Sequence, residues 1–256
     1  MRTLLAIGIG TGHPDHLTLQ AVKALSRVDV VFGFDKGEEK AAQQRVRREI
    51  CERFIAPRPY RWVEIPDALR DPSIGDYEAR VEEWHERRLL AWEHSIAHEL
   101  AERETGAILV WGDPSLYDST LRLLERLTAR AEVRFEYEVI AGISSPQALA
   151  ASHKLTLNRV GGAVQLTTGR RLARALPTEA DDVVVMLDGE CAFQRVPETQ
   201  FEIFWSAYLG SEHEVSISGR LDACKAEIER VRTALRAQHG WIMDIYLLRR
   251  IQGSGR

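Results

Sequence analysis

The sequence predicts a two-domain α/β protein, with a largely parallel sheet in an N-terminal domain over residues 1–158 and a mixed α+β domain over 159–256. Three observations lead there. The chain opens with an apolar run that breaks into glycines and passes into a helical repeat, the order of a strand, a tight turn and a helix. The same order returns around Gly112 and Gly142. After about Lys154 strand-like runs lie closer together and outnumber helical ones, which favours partly antiparallel pairing.

Element by element, Leu4–Ile9 is a buried strand ending in Gly8, Gly10 and Gly12, and Leu17, Ala21, Ala24 and Leu25 recur at helical spacing behind it. Val28–Phe34 is the second strand, so the first 34 residues form a β-α-β unit with a right-handed crossover. Asp35–Ser73, rich in charge and proline, is expected to hold one helix and then an irregular loop. Trp84, Leu89, Trp92, Ile96 and Leu100 mark one face of a long amphipathic helix, with Gly106 placed to cap its C-terminus. Ala107–Trp111 and Phe135–Ile140 are the next strands, with a helix from Ser119 between them and a tight turn, Gly142 to Ser145, after them. Further strands are expected at Val164–Thr168, Val183–Met186, Glu202–Trp205, Val215–Ser218 and Ile242–Leu248, with a helix over Asp222–Gln238 before the last.

Composition narrows the classes. With 45% hydrophobic and 28% charged residues, 256 residues bury a substantial core. A net charge of −4 gives no support to a nucleic-acid-binding chain, and no apolar run approaches the ~20 residues of a membrane span. Cys51, Cys191 and Cys224 are odd in number and widely spaced, which fits reduced thiols in the cytoplasm and neither a disulfide framework nor a zinc ribbon. His94 and His98 stand i, i+4 without an H-E-x-x-H string or a third ligand, so no metal is expected. Arg45, Arg47 and Arg48, and again Arg170, Arg171 and Arg174, are either solvated faces or clamps for carboxylates of a substrate.

The glycine turns carry the functional reading. A G-x-G-x-G turn after the first strand suits a dinucleotide, but His13 stands where the dinucleotide fingerprint needs a third glycine. Three strands of one sheet ending in Gly8–Gly12, Gly112–Pro114 and Gly142–Ser145 would gather small residues, a carboxylate and two hydroxyls at one carboxyl edge. In order and separation these loops, with Leu17-Thr18 behind the first, resemble the tetrapyrrole methylases: their G-x-G-P-G…L-T start, their G-D-P loop and their P-G-[IV]-[ST]-[SA] loop. Thr11 and Ala141 stand where that pattern has proline. The strings Asp35 to Lys40, Arg48 to Arg53, Trp111 to Thr120 and Thr167 to Arg171 are similar to the deacetylating precorrin-methylating branch of the family.

The resemblance implies a two-domain fold that binds S-adenosyl-L-methionine (SAM) in the cleft between domains, usually as a homodimer. By motif position the cofactor contacts would be Thr11, Trp111, Gly112, Asp113, Leu116, Ser144 and Ser145, joined by Leu187 and Ala207 from the second domain. It further implies a small-molecule tetrapyrrole substrate, precorrin-5, methylated at C-1 with loss of acetate. Asp35, at a strand end, is the first candidate to activate the water that reaction needs, and His153 the next. A methylase acting on another precorrin or on a different substrate, a nicotinamide-dependent oxidoreductase and a non-catalytic SAM-binding protein remain the alternatives.

Overall fold

The computed structural model describes residues 1–35, 41–55, 59–66 and 76–251. The chain divides into two compact units, Met1–Ile143 and Ser144–Arg256. The break falls ahead of the 158/159 boundary read from the sequence, because the helix after Ser144 packs on strands of the second unit.

The first unit carries a five-stranded sheet in the order β3-β2-β4-β1-β5. Its strands are β1 (Arg2–Gly8), β2 (Val30–Asp35), β3 (Arg61–Pro66), β4 (Thr105–Val110) and β5 (Phe135–Ile140), all parallel to their neighbours. Burial on both faces explains the uninterrupted apolar runs. On β1, Leu4 and Ala6 enter one core, with α3 (Tyr77–Glu99) and α4 (Thr120–Arg130), through Leu89, Trp92, Ile96, Leu124 and Leu127. Leu5 and Ile7 enter the opposite core, with α1 (Leu19–Leu25) and α2 (Ala41–Phe54), through Ala21, Leu25, Ile50 and Cys51. Thr18 caps α1, its hydroxyl accepting the Ala21 N–H at 3.1 Å.

Two local expectations fail here. The stretch after α2, read as an irregular loop, contains β3, whose proline ends an edge strand where its missing N–H costs no ladder bond. Gly106 lies inside β4 and caps nothing: a Cβ there would come within 2.8 Å of both Leu4 and Phe32 side chains, so the position serves close packing across neighbouring strands.

The second unit carries a mixed sheet in the order β6-β7-β10-β8-β9. It comprises β6 (Val164–Thr168), β7 (Asp182–Met186), β8 (Phe201–Ala207), β9 (Val215–Arg220) and β10 (Asp244–Arg250). Only β6 and β7 run parallel; β10 pairs antiparallel with β7 and β8, and β8 with β9. One face packs on α7 (Leu221–His239) and the short α6 (Gly169–Leu172) around Val183, Val185, Ile203, Trp205 and Tyr246. The helix α5 (Ser145–Ser152) packs against β8 and β10. Among the described residues no helix is long and apolar enough to cross a membrane.

Candidate active site

β1, β4 and β5 are adjacent and parallel, so the three glycine loops leave the same edge of the first sheet. They meet backbone to backbone. Gly10 and Gly112 form an antiparallel bridge, Gly112 N–H to Gly10 O at 2.7 Å and Gly10 N–H to Gly112 O at 3.3 Å, with φ of +78° and +70° respectively, a region that disfavours any side chain. A Cβ on Gly142 would lie 2.2 Å from Gly112 O and 2.7 Å from Gly8 Cα.

Asp113 locks the second loop to the third. Its carboxylate accepts the Gly142 N–H and the Ser115 N–H, each at 2.8 Å, and the Ser115 hydroxyl. Burial raises the carboxyl pKa, but the bonds from Ser115 and Gly142 outweigh it and hold Asp113 below its ordinary value. The ionised form is thus the one the loop is built around. Thr11 is buried, with its hydroxyl 3.2 Å from His16 Nδ1. Trp111 is half-buried, and Leu116 follows on the same loop with its N–H bonded to Asp113 O at 3.2 Å.

Arg47 belongs to this edge in a way its sequence cluster does not reveal. From α2 its Nε donates to Leu109 O at 3.0 Å and its Nη1 to Gln43 O at 3.3 Å, with the guanidinium 5.9 Å from the Trp111 ring centroid. Burial pulls its pKa down to about 10, against the opposing charge of Asp118. Neither a solvated face nor a free clamp, it ties α2 to the strand that feeds the G-D-P loop. Arg48 instead stays on the surface, pairing with Glu64 at 2.9 Å.

The second unit presents its own edge. Ser144 precedes α5, and its hydroxyl bonds the Gln147 side chain; the Ser145 hydroxyl lies 3.9 Å from Met186 Sδ at the end of β7. Met186 pairs with Ile245 and Ala207 with Asp244, which puts Leu187 and Ala207 at one end of the sheet with β10 between them. Leu187 has φ of +52° and is 65% exposed, an uncommon pairing for a branched aliphatic residue. Next to it in the chain stands Asp188, a residue the sequence reading passed over. This buried carboxylate accepts Tyr246 OH at 2.6 Å, Ala192 N–H at 2.7 Å and Glu190 N–H at 3.0 Å, while its carbonyl accepts Arg232 Nη2 at 2.7 Å. Burial, with Asp188 beside it, holds the Tyr246 phenol protonated as the donor.

The two candidates for water activation differ in setting. The Asp35 backbone ends β2, in register with Pro66, while its side chain and the following Lys36–Lys40 lie outside the described residues. His153 follows α5, with Nε2 2.9 Å from Ser206 Oγ and 3.2 Å from Trp205 O and its ring edge-on to Phe204. Burial lowers its pKa despite that carbonyl and the nearby Glu214. His98 Nδ1 lies 2.8 Å from His94 O, and among the described residues no three His, Cys, Asp or Glu side chains group to hold a metal ion. Cys51 is buried, its thiol pushed up to about 12 mainly by that burial, the chemistry of a packed side chain.

Residues 3–224 match the model of the Tetrapyrrole (Corrin/Porphyrin) Methylases, and the chain belongs to that family. Within it, the chain is a homologue of a precorrin-6A synthase (deacetylating) from Sinorhizobium sp, 50% identical over 250 residues that cover 98% of this chain and 96% of that protein. The fold is similar to that of a cobalamin-synthesis-related protein (CobF) from Corynebacterium diphtheriae, with a TM-score of 0.83 and 37% identity over 97% of this chain and 98% of that one. At 18% identity and a TM-score of 0.56, uroporphyrin-III C-methyltransferase from Thermus thermophilus, solved with S-adenyl homocysteine, shares the fold over 96% of this chain and 91% of its own.

Proposed function

We propose that the chain methylates precorrin-5 at C-1 with SAM and releases acetate, giving precorrin-6A, and that it does so in the cytoplasm as a homodimer. The observation that carries this reading is the full-length identity of 50% to a deacetylating precorrin-6A synthase, on a chain whose three family loops pack backbone to backbone at one sheet edge.

The donor set fits SAM. Backbone groups around Gly112 and the hydroxyl of Ser145 suit the amino-acid end of the cofactor, and the half-buried Trp111 and exposed Leu187 suit its adenosine. Thr11, Asp113, Leu116, Ser144 and Ala207 complete the proposed contacts, Asp113 also fixing the loops through the bonds its carboxylate accepts from Ser115 and Gly142. When bound, SAM supplies a methyl group made electrophilic by its positive sulfur.

The chain has to hold the acceptor carbon in line with that methyl group and keep bulk water off the line. It must also take a proton from one water, whose oxygen adds to the acetyl carbonyl; the carbon–carbon bond then breaks, acetate leaves, and the electron pair remains at C-1. Asp35 is the proposed proton acceptor, because its strand ends at the edge where the loops gather. His153 is the second candidate, less suited because its Nε2 is already engaged by β8. Asp35→Asn should retain SAM binding and lower acetate release by about 10²–10⁴-fold. Acetate formed at the wild-type rate would remove Asp35 from the chemistry and pass the test to His153. Calorimetry supplies the wider check: SAM and S-adenosylhomocysteine should bind one site per chain, and NAD should not bind.

A further inference from the structure

The geometry points to a carboxylate-binding groove in the second unit, formed by Arg170, Arg174 and Arg195, that holds an acidic arm of the acceptor. The inference rests on the tetrapyrrole reading above, whose substrate bears several acetate and propionate groups.

The groove has a volume of about 280 Å³ and runs between the helical turn after β6 and the turn after β7. Both walls are built. A Cβ on Gly169 would lie 2.4 Å from the Asp188 carboxyl carbon, so only glycine lets α6 start against that residue. Asp188 in turn gathers the 188–192 turn through the N–H groups of Glu190 and Ala192. Hydrogen bonds from Ala173 N–H to Gly169 O at 2.8 Å and from Ala175 N–H to Arg171 O at 3.1 Å carry the helical turn past Arg174. Arg170 and Arg174 thereby stand one turn apart on the face that lines the groove.

Charge then selects the ligand. Among the described residues neither Arg170 nor Arg174 pairs with a carboxylate, and like charges at this spacing repel. Opposite them, Arg195 reaches Glu190 only at 3.6 Å, between two largely exposed side chains. Asp188 also lines the groove, but its carboxylate oxygens are turned to Tyr246 OH and to the N–H groups of Ala192 and Glu190, so no guanidinium of the groove forms a bond with it. In a chain of net charge −4, three guanidinium groups thus face two carboxylates, the buried Asp188 and the exposed Glu190, around one recess, an excess of positive charge. Planar guanidinium forks match a carboxylate two bonds at a time. Leu187 also lines the groove and belongs to the proposed SAM contacts, so an arm held here is anchored to an acceptor next to the methyl donor.

The test is Arg170→Gln/Arg174→Gln in the full chain, with Arg230→Gln/Arg236→Gln on the exposed face of α7 as the charge-matched control. The groove variant should raise KM for precorrin-5 about tenfold or more, leave SAM affinity unchanged and alter kcat little; Arg170→Lys/Arg174→Lys should recover part of the loss. Equal KM in groove variant and wild type would overturn the groove. Calorimetry with tricarballylate, a free tricarboxylate, reads the groove without turnover: wild type should bind it and the groove variant should not. Should wild type fail to convert precorrin-5 yet bind tricarballylate through these arginines, the tetrapyrrole reading fails and the carboxylate site stands. Inorganic phosphate binding more tightly than tricarballylate would overturn the assignment to a carboxylate arm.

Discussion

Gly142→Ala is the sharpest test of how the loops make the site. The new methyl would stand 2.2 Å from Gly112 O and 2.7 Å from both Gly8 Cα and Gly8 C, all backbone atoms that no rotamer change can move. Ordinary contact requires a shift of roughly 1 Å at one or more of the three loops, and each is tied. Gly112 O accepts the Gly10 N–H, Gly112 N–H donates to Gly10 O, and Gly142 N–H donates to Asp113 Oδ2. Overpacking of this kind costs about 1–3 kcal/mol, and a broken loop hydrogen bond about 1 kcal/mol more. A total near 3 kcal/mol lowers Tm by roughly 6–12 °C for a protein of this size. SAM affinity should fall with it, because the loops that bind the cofactor are those pushed apart. Differential scanning calorimetry and SAM titration measure both; Gly189→Ala, whose Cβ would meet no atom within 4 Å, is the stability control. A Gly142→Ala protein that melts with wild type and binds SAM as tightly would refute the close approach and with it the assignment of the cofactor edge.

Asp113→Asn should destabilise the first unit at neutral pH and lose that deficit in acid. The folded pKa is depressed, so Asp113 contributes its stability above the unfolded value of 3.8 and loses it as pH falls through the lower folded value. Acid-unfolding curves of variant and wild type should therefore converge below pH 3.8; parallel curves throughout would rule out the ionic lock. His153 gives the same sign for a different reason: burial lowers its pKa, so the unfolded chain takes up the proton first and stability declines as pH falls below 6.5. His153→Gln should flatten that slope in denaturant titrations, and an unchanged slope would place the titrating group elsewhere. Tyr246→Phe removes one of three donors to the buried Asp188 and should cost about 1–2 kcal/mol in urea unfolding, with weaker SAM binding through Leu187. A loss of neither would separate the Asp188 network from the site.

The parallel half of the fold was legible because its physics is local. Strands buried on both faces leave apolar runs such as Leu4–Ile9 and Ala107–Val110, and each ends in glycines where the backbone must turn or touch. β3 escaped because an edge strand needs fewer apolar residues: its sequence, Arg-Trp-Val-Glu-Ile-Pro, alternates beneath a high charge and ends in a residue usually read as a breaker. Gly106 misled for the opposite reason. It follows a helical stripe at the distance of a cap, and only the neighbouring Leu4 and Phe32, distant in sequence, explain it.

The same contrast divides the site. Contacts that rest on backbone conformation leave glycines in the sequence, and the three loops were found from them. Contacts that rest on one charged side chain turned inward leave no such trace. Arg47 sits among Arg45 and Arg48 in an unremarkable helix, and its difference lies in Leu109 O, 62 residues away. Asp188 stands in a short acidic turn, yet its three donors come from the adjacent turn and from Tyr246 on the last strand. A signal did exist for it. Gly169, in the string Thr167 to Arg171, is glycine because Asp188 occupies the space where a Cβ would be. A glycine with φ in the ordinary range, in a run otherwise free of turn residues, marks a close approach, and here the partner is the buried carboxylate that follows the left-handed Leu187 in the chain.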